Sequence, residues 1–502
     1  MPAETPTALV IGAGMGGLTA AVLLGMHGYR VTVHEQHFRP GGLLHRFFRE
    51  GAPYDTGFHY CGGVAREDIL GRCLRHLGVF DEIRFHPMDP EGFDRIIVQD
   101  TEFRVPVGWE RYRDRLVDAF PHEKAGLDAL FRDMLRAIGQ YGLYVFKIDV
   151  DVGEFLKWEG TALIEKIREH IRDPLLIAVL CGQGVLYGVR PCDAPFGLHS
   201  VIIHHFVRGA HRVTGGGDRL AKVMVNRIAE LGGTVRLRSR VREIIVEDKV
   251  AKGVLLDSGE VQRADLVISN MHPRVLLDHL PQGSVRRAYR NRVLGQRVGI
   301  AHLGVYMQID GTAETIGNAN IYRHFSLDPE RSHDAMTVDG PLPFYFATAP
   351  NEAYEAEERR RHDVVLMLLA LTWKDVARWH GTRTGQRGAD YDAFKAALQQ
   401  RAVDALLGDH PSLAGRVLRV ESSTGLTTQH YTATPEGAMY GHYHSVDQMG
   451  KYRPSQVIRV RNLVQVGQGV FTPGVLGATL SAYYGCGFHL GLENLLAELE
   501  AA

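Results

Sequence analysis

The feature that most constrains this chain lies near its N-terminus. Ala8-Leu9-Val10-Ile11 is a short apolar run, followed at once by Gly12-Ala13-Gly14-Met15-Gly16-Gly17. Apolar residues at helical spacing come next, at Leu18, Ala21, Val22 and Leu24, and Gly28 ends them. A second run, Val31-Thr32-Val33-His34, leads to Glu35, close to the ~20-residue spacing at which an acid meets a ribose. Strand, glycine turn, helix, strand and acid in that order form a βαβ cradle for a dinucleotide. Gly12 permits the tight turn, Gly14 lets backbone approach a pyrophosphate, and Gly17 lets helix pack closely on strand. The helix N-terminus adds N–H groups and a partial positive charge for phosphates. An acid at position 35 suits free ribose hydroxyls and disfavours a 2′-phosphate, so NADP is not expected here. The glycines also argue against reading Ala8–Leu24 as a membrane span.

The rest of the chain is organised around that unit. At 502 residues it holds about three domain-sized units at roughly 150 residues each. Strand and helix alternate in three separated regions: from Ala8 to about Phe93, from Gly215 to about Pro273, and from Leu463 to the end. In the second, Leu220–Leu231 has helical spacing, and Thr234–Leu237, Val241–Val246, Val250–Leu256 and Leu266–Ser269 read as strands. In the third, Leu463–Val466 leads through glycines into an apolar helix, Val475–Leu490. The expected fold is α/β: a discontinuous Rossmann-like domain (1–93, 211–273 and 459–502) with an inserted α+β substrate domain (94–210 and 274–458). Within the second insert a charged turn, Glu357–Arg361, precedes an apolar strand, Val364–Leu371, and reads as a solvated face.

Charge and cysteine usage remove several classes. Lys+Arg is 57 and Asp+Glu is 58, a net charge of -1, which gives no basis for nucleic-acid binding. Five cysteines with no C-x-x-C pair do not make a disulfide framework, and buried, reduced thiols in a cytosolic chain are expected. Residues 1–7 carry no basic region of a secretory signal, and no apolar run elsewhere reaches ~18 residues. The closest histidine pairs, His204-His205 and His442-x-His444, have no partner at ligand spacing, so no metal is expected.

Beyond Glu35, the stretch Gln36-His37-Phe38-Arg39-Pro40-Gly41-Gly42 extends the phosphate site with a second glycine approach. This region resembles the FAD-binding N-terminus of the amine oxidase and phytoene desaturase superfamily, although Leu43 stands where that family usually has Arg or Lys. Gly216-Gly217, Gly232-Gly233, Arg240–Ile244 and Ala264–Asn270 resemble its second FAD segment, in which backbone at Val241 usually touches adenine. Val464-Gln465-Val466-Gly467-Gln468-Gly469 and Pro473-Gly474-Val475-Leu476-Gly477-Ala478 resemble the segment that closes over the flavin. The resemblance implies FAD, held by Gly12, Ala13, Gly14, Met15, Gly16, Gly17, Glu35, Gln36, Gly41, Gly42, Val241, Asn270, Gly467, Gln468, Gly469, Val475, Leu476 and Gly477. Tyr54-Asp55-Thr56-Gly57-Phe58-His59-Tyr60 is most similar to the retinol saturase and carotenoid isomerase branch. Gly469 instead matches the desaturases, since retinol saturases typically place Asp there.

The resemblance implies an FAD-dependent oxidoreductase acting on C=C or C–C bonds of a hydrophobic polyene, isoprenoid or long-chain lipid. Saturation and isomerisation rank above desaturation. His59 and Tyr60 are the candidate acid–base residues, because an unperturbed histidine titrates near 6.5. The alternative is a packed histidine that holds the turn. His430, Tyr440, His442 and His444 are further candidates. Pro174–Leu180 and Leu198–Phe206 are apolar enough to line a hydrocarbon tunnel or to form ordinary core. A lipid-dissolved substrate implies a chain that touches a membrane without spanning it. Two other readings share the scaffold: an amine oxidase, whose aromatic surround is not evident, and a flavin-free prenyl-binding protein like the Rab GDP-dissociation inhibitors.

Overall fold

The computed structural model describes residues 5–354 and 362–502; the charged turn 357–361 lies outside them. In chain order the strands of the two large sheets are β1 (Thr7–Ile11), β2 (Arg30–His34), β3 (Asp94–Val98), β4 (Thr101–Val105), β5 (Thr234–Arg236), β6 (Leu266–Ser269), β7 (Ala301–Asp310), β8 (Asn320–His324), β9 (Phe344–Thr348), β10 (His362–Leu371), β11 (Val417–Ser423) and β12 (Leu463–Gln465). The helices that matter below are α1 (Met15–Met26), α2 (Val152–Glu159), α3 (Pro174–Cys181), α4 (Phe196–Val207), α5 (Gly216–Glu230) and α6 (Gly474–Leu490).

The first sheet is parallel, in the order β12-β6-β1-β2-β5, with Val10 opposite Ile268 on one side and Val33 on the other. It gathers strands from both ends and the middle of the chain. Its strands are near-continuously apolar because both faces are covered. Side chains alternate across a strand, so Ala8 and Val10 pack on one face with α1, α5 and α6. Leu9 and Ile11 pack on the other, against a three-stranded antiparallel sheet, Val241–Glu247, Val250–Leu256 and Val261–Arg263.

The second sheet runs β11-β7-β10-β9-β8-β3-β4. It is antiparallel except where β8 lies parallel to β3, with Asn320 opposite Asp94. The long pair β7–β10 keeps one register from Ala301–Leu371 to Asp310–His362. One face of this sheet packs with the helix Ala389–Asp409. The other meets α3 and α4 through Ile96, Tyr322, Phe344 and Phe346.

One open alternative is decided here and one expectation is corrected. Pro174–Leu180 is a capped core helix: Asp173 Oδ1 accepts from the backbone N–H groups of Leu175 and Leu176 at 2.8 and 3.1 Å, and Leu176 to Cys181 are buried. It lines neither large cavity described below. Cys192 is exposed, on the loop leading into α4, whereas Cys61, Cys73, Cys181 and Cys486 are buried. Among the described residues no helix is long and apolar enough to cross a membrane.

Candidate active site

A cleft opens at the carboxyl ends of β1, β2, β6 and β12, where a parallel sheet leaves its connecting turns free for a ligand. Gly12 takes a positive φ of 95° and its N–H donates to His34 at 2.8 Å, closing the turn between β1 and α1. Gly14 caps α1 without a side chain, so N–H groups of the first turn face the cleft. Glu35 is anchored through both oxygens: the Ala13 N–H donates to Oε2 and the His37 N–H to Oε1, each at 2.8 Å. The Gly41 N–H donates to the Ala13 carbonyl at 2.7 Å, which brings the second glycine pair against Gly14.

Asn270, just past β6, ties the first and last segments together. A Cβ on Gly14 would sit 2.8 Å from Asn270 Nδ2, and one on Gly467 would sit 2.4 Å from Asn270 Oδ1. A Cβ on Gly16 would lie 2.9 Å from the Gly467 Cα. These glycines leave a groove that any other residue would fill, beside a fixed acid and an uncapped helix start. That donor set fits a dinucleotide.

Gly12, Gly14, Met15, Gly16, Glu35, Gln36, Gly41, Gly42, Val241, Asn270, Gly467, Gln468, Gly469 and Val475 all line the cleft. Ala13 and Gly17 lie behind it. Ala13 holds Glu35, and a Cβ on Gly17 would meet the Gly12 carbonyl oxygen at 2.0 Å. Leu476 and Gly477 face a different space, a second cavity of about 330 Å³. The two spaces share Gly57, Tyr440, Gly474 and Val475 as walls.

The second cavity is apolar for most of its surface. Phe58, Leu186, Leu198, Val201, Ile202, Phe206 and Phe471 line it, so α4 supplies the wall expected from Leu198–Phe206. His59 and Tyr60 both line it. Burial, with Arg212 and His302 adding to it, pushes His59 down to about 3, and both ring nitrogens are shielded without a hydrogen-bond partner. His59 is therefore neutral across the physiological range, and the argument from an ordinary histidine does not hold for it. Tyr60 is different. Its hydroxyl donates to Asp94 Oδ2 at 3.1 Å and meets the Tyr322 hydroxyl at 2.8 Å.

Asp94 is the centre of a buried polar network. Gln183 Nε2 donates to Oδ2 at 2.5 Å and Asn320 Nδ2 to Oδ1 at 2.8 Å. Burial pushes the Asp94 carboxyl up to about 7, against the pull of these donors. The sequence gives no hint of it, because Asp94 opens a strand like any exposed polar residue. Of the other candidates, His430 is exposed and Tyr440 lines both spaces. His442 and His444 grip a turn instead: His442 Nδ1 lies 3.0 Å from the Gly469 carbonyl, and His444 Nε2 3.3 Å from that of Gln468.

A glycine-lined dinucleotide cleft on a parallel sheet, continued into an apolar cavity walled by α4, has the layout of a dinucleotide-dependent oxidoreductase. Residues 15–484 match the family described as flavin containing amine oxidoreductase, and the chain belongs to it. It falls in the phytoene desaturase, carotenoid isomerase and retinol saturase branch and is an FAD-dependent enzyme. It is 27% identical to the all-trans-retinol 13,14-reductase of Danio rerio, over 99% of this chain and 87% of that one. It is 24% identical to a 4,4'-diapophytoene desaturase of a Methylomonas species, over 93% and 91%. Among solved structures, an oxidoreductase from Methanosarcina mazei shares the fold with a TM-score of 0.68, 15% identity and coverage of 95% and 99%.

Proposed function

We propose that the chain reduces or isomerises a C=C bond of a hydrophobic polyene, taken into the cavity beside the cofactor cleft. The observation that carries this is the junction of the two spaces at Gly57, Tyr440, Gly474 and Val475. Bound FAD supplies a two-electron hydride donor or acceptor, and conjugation in the substrate spreads the charge that develops. The glycine turns, Glu35, Val241 and Asn270 hold the cofactor, in a domain assembled from 1–93, 211–273 and 459–502. The apolar wall from α4 orients the polyene and excludes water.

Saturation needs one proton at the carbon next to the one that receives hydride. Tyr60 reaches the cavity and Asp94 stands behind it with a proton to give near neutral pH. With Asp94 protonated, its O–H donates to the Tyr60 oxygen, which frees the Tyr60 O–H to face the substrate. His59 then packs beside this pair as a neutral ring.

Ile148 lines the cavity and is 39% exposed, so the cavity wall reaches the surface through an apolar side chain. That supports an entrance that meets lipid. The test is a flavin spectrum of the purified protein, then incubation with all-trans-retinol and with a carotenoid under reducing and oxidising conditions. The product mass separates the outcomes: a gain of two hydrogens supports saturation, no change with altered retention supports isomerisation, and a loss supports desaturation. Flavin with no conversion of either polyene would overturn the proposal.

A further inference from the structure

Six histidines line the cofactor cleft, and five of them spend a ring nitrogen on the chain itself. His302 does not. It is 4% exposed, makes no hydrogen bond with any described residue, and its Nδ1 is shielded without a partner. Nε2 has no partner either but is not shielded, so it is the nitrogen that faces the open cleft. The residue stands near the start of β7. Leu303, Val305 and Met307 turn into the core shared with the helix Ala389–Asp409, so strand alternation turns His302 to the opposite face. It lies at the end of the cleft that meets the second cavity, close enough to act electrostatically on His59, which lines that cavity.

We propose that His302 is a further residue of the reaction centre: it gives its Nε2–H to the carbonyl edge of the flavin ring and so raises the ring's affinity for electrons. The inference rests on the reading of the junction as the place where cofactor and substrate meet. Burial pushes His302 down to about 4, so at neutral pH its ring carries one N–H and no charge. A buried N–H left without an acceptor is rarer and costlier than a bare lone pair. The proton therefore sits on Nε2, and the shielded Nδ1 keeps the lone pair. Uptake of a hydride adds two electrons and one proton to the flavin ring and leaves one negative charge spread over its carbonyl edge. An N–H donated to that edge becomes a charge-assisted hydrogen bond on reduction, which strengthens it. The gain favours the reduced ring. A neutral donor supplies it without the full pull of a cation, which leaves the hydride transferable to a polyene.

The experiment measures the midpoint potential of the bound flavin, by slow enzymatic reduction beside a reference dye, in the parent protein, His302→Phe and His302→Gln. Phenylalanine keeps a ring of similar shape and removes the N–H. The glutamine amide restores an N–H near the place of Nε2. His302→Phe is expected to lose about ten-fold in the reduction equilibrium, a potential about 30 mV lower for a two-electron couple, and His302→Gln to recover at least half of that shift. Oxidised FAD is expected to bind all three proteins within about five-fold, because the glycine turns and Glu35 are untouched. An unchanged potential in His302→Phe would overturn the inference. A potential in His302→Gln as low as in His302→Phe would overturn it too, by marking His302 as packing alone. Failure of both variants to take up flavin would also overturn it, by placing the imidazole in the fold of the cleft rather than at the flavin. The product mass from a polyene tests the substrate assignment separately, so either reading can fail alone.

Discussion

At the scale of single residues, the proposed reduction turns on Asp94, whose partners Tyr60, Gln183 and Asn320 come from three segments far from it in sequence. Its consequence is testable. Asp94 can deliver a proton only while it holds one, so reduction of a polyene is expected to fall as pH rises through about 7. Asp94→Asn removes the ionisation, and its pH–rate profile should lose that limb while the rate at pH 6 drops on the order of 10²-fold, the usual size of a general-acid contribution. An unchanged profile in the variant would exclude Asp94 from proton delivery. Gly17 makes a second case. Alanine there drives its Cβ onto the Gly12 carbonyl, and relief of that contact moves backbone. Gly17→Ala is expected to cost on the order of 1–3 kcal/mol, read as a lower denaturant midpoint of the apoprotein, with flavin uptake weakened alongside.

At the scale of elements, β1, α1 and β2 were legible because each is adjacent to the next and buried on both faces. The paired strands Val241–Glu247 and Val250–Leu256 were legible for a similar reason, a short turn between alternating runs. The seven-stranded sheet was not. It joins β3 and β4 to strands more than two hundred residues later, and nothing local records that β8 will lie parallel to β3. Pro174–Leu180 shows the same limit in miniature. Its apolarity fits a tunnel wall or a core helix equally, and only the packing against the second sheet decides for the core. The turn 467–469 belongs to this scale because it depends on a second segment for its shape. His442 and His444 reach its carbonyls from one loop, and a hydrogen bond is worth about 0.5–1.5 kcal/mol. The double change His442→Ala with His444→Ala should therefore weaken FAD binding several-fold to about a hundred-fold in a flavin titration. If flavin affinity stays within two-fold of the parent, the two rings do not brace the cofactor's turn.

At the scale of the whole molecule, opposing sets of buried groups set the pH at which the fold is most stable. Burial lowers His199, His205 and His333 to about 3, and His302, His324 and His442 to about 4. Each is neutral in the folded chain and protonated in the unfolded one between that value and about 6.5. The unfolded state then binds more protons, so stability rises with pH across this window. Asp94 and Glu159 act the other way. Both are held up at about 7, so the folded state keeps protons that the unfolded state releases near 4, and stability falls as pH rises towards 7. Below about 6.5 the histidines outnumber the carboxyls and the net slope is upward, by about 1.4 kcal/mol per pH unit for each unmatched proton. Above it the unfolded histidines have already discharged, and only the two carboxyls still titrate. Thermal unfolding from pH 5 to 8.5 should therefore show a maximum between about 6 and 7, with a modest decline above it. The double variant Asp94→Asn, Glu159→Gln should keep the acid limb and replace the decline by a plateau. A parent protein whose stability climbs steadily to pH 8.5 would mean that neither carboxyl holds a proton in the folded state, and it would remove the acid on which the proposed reduction depends.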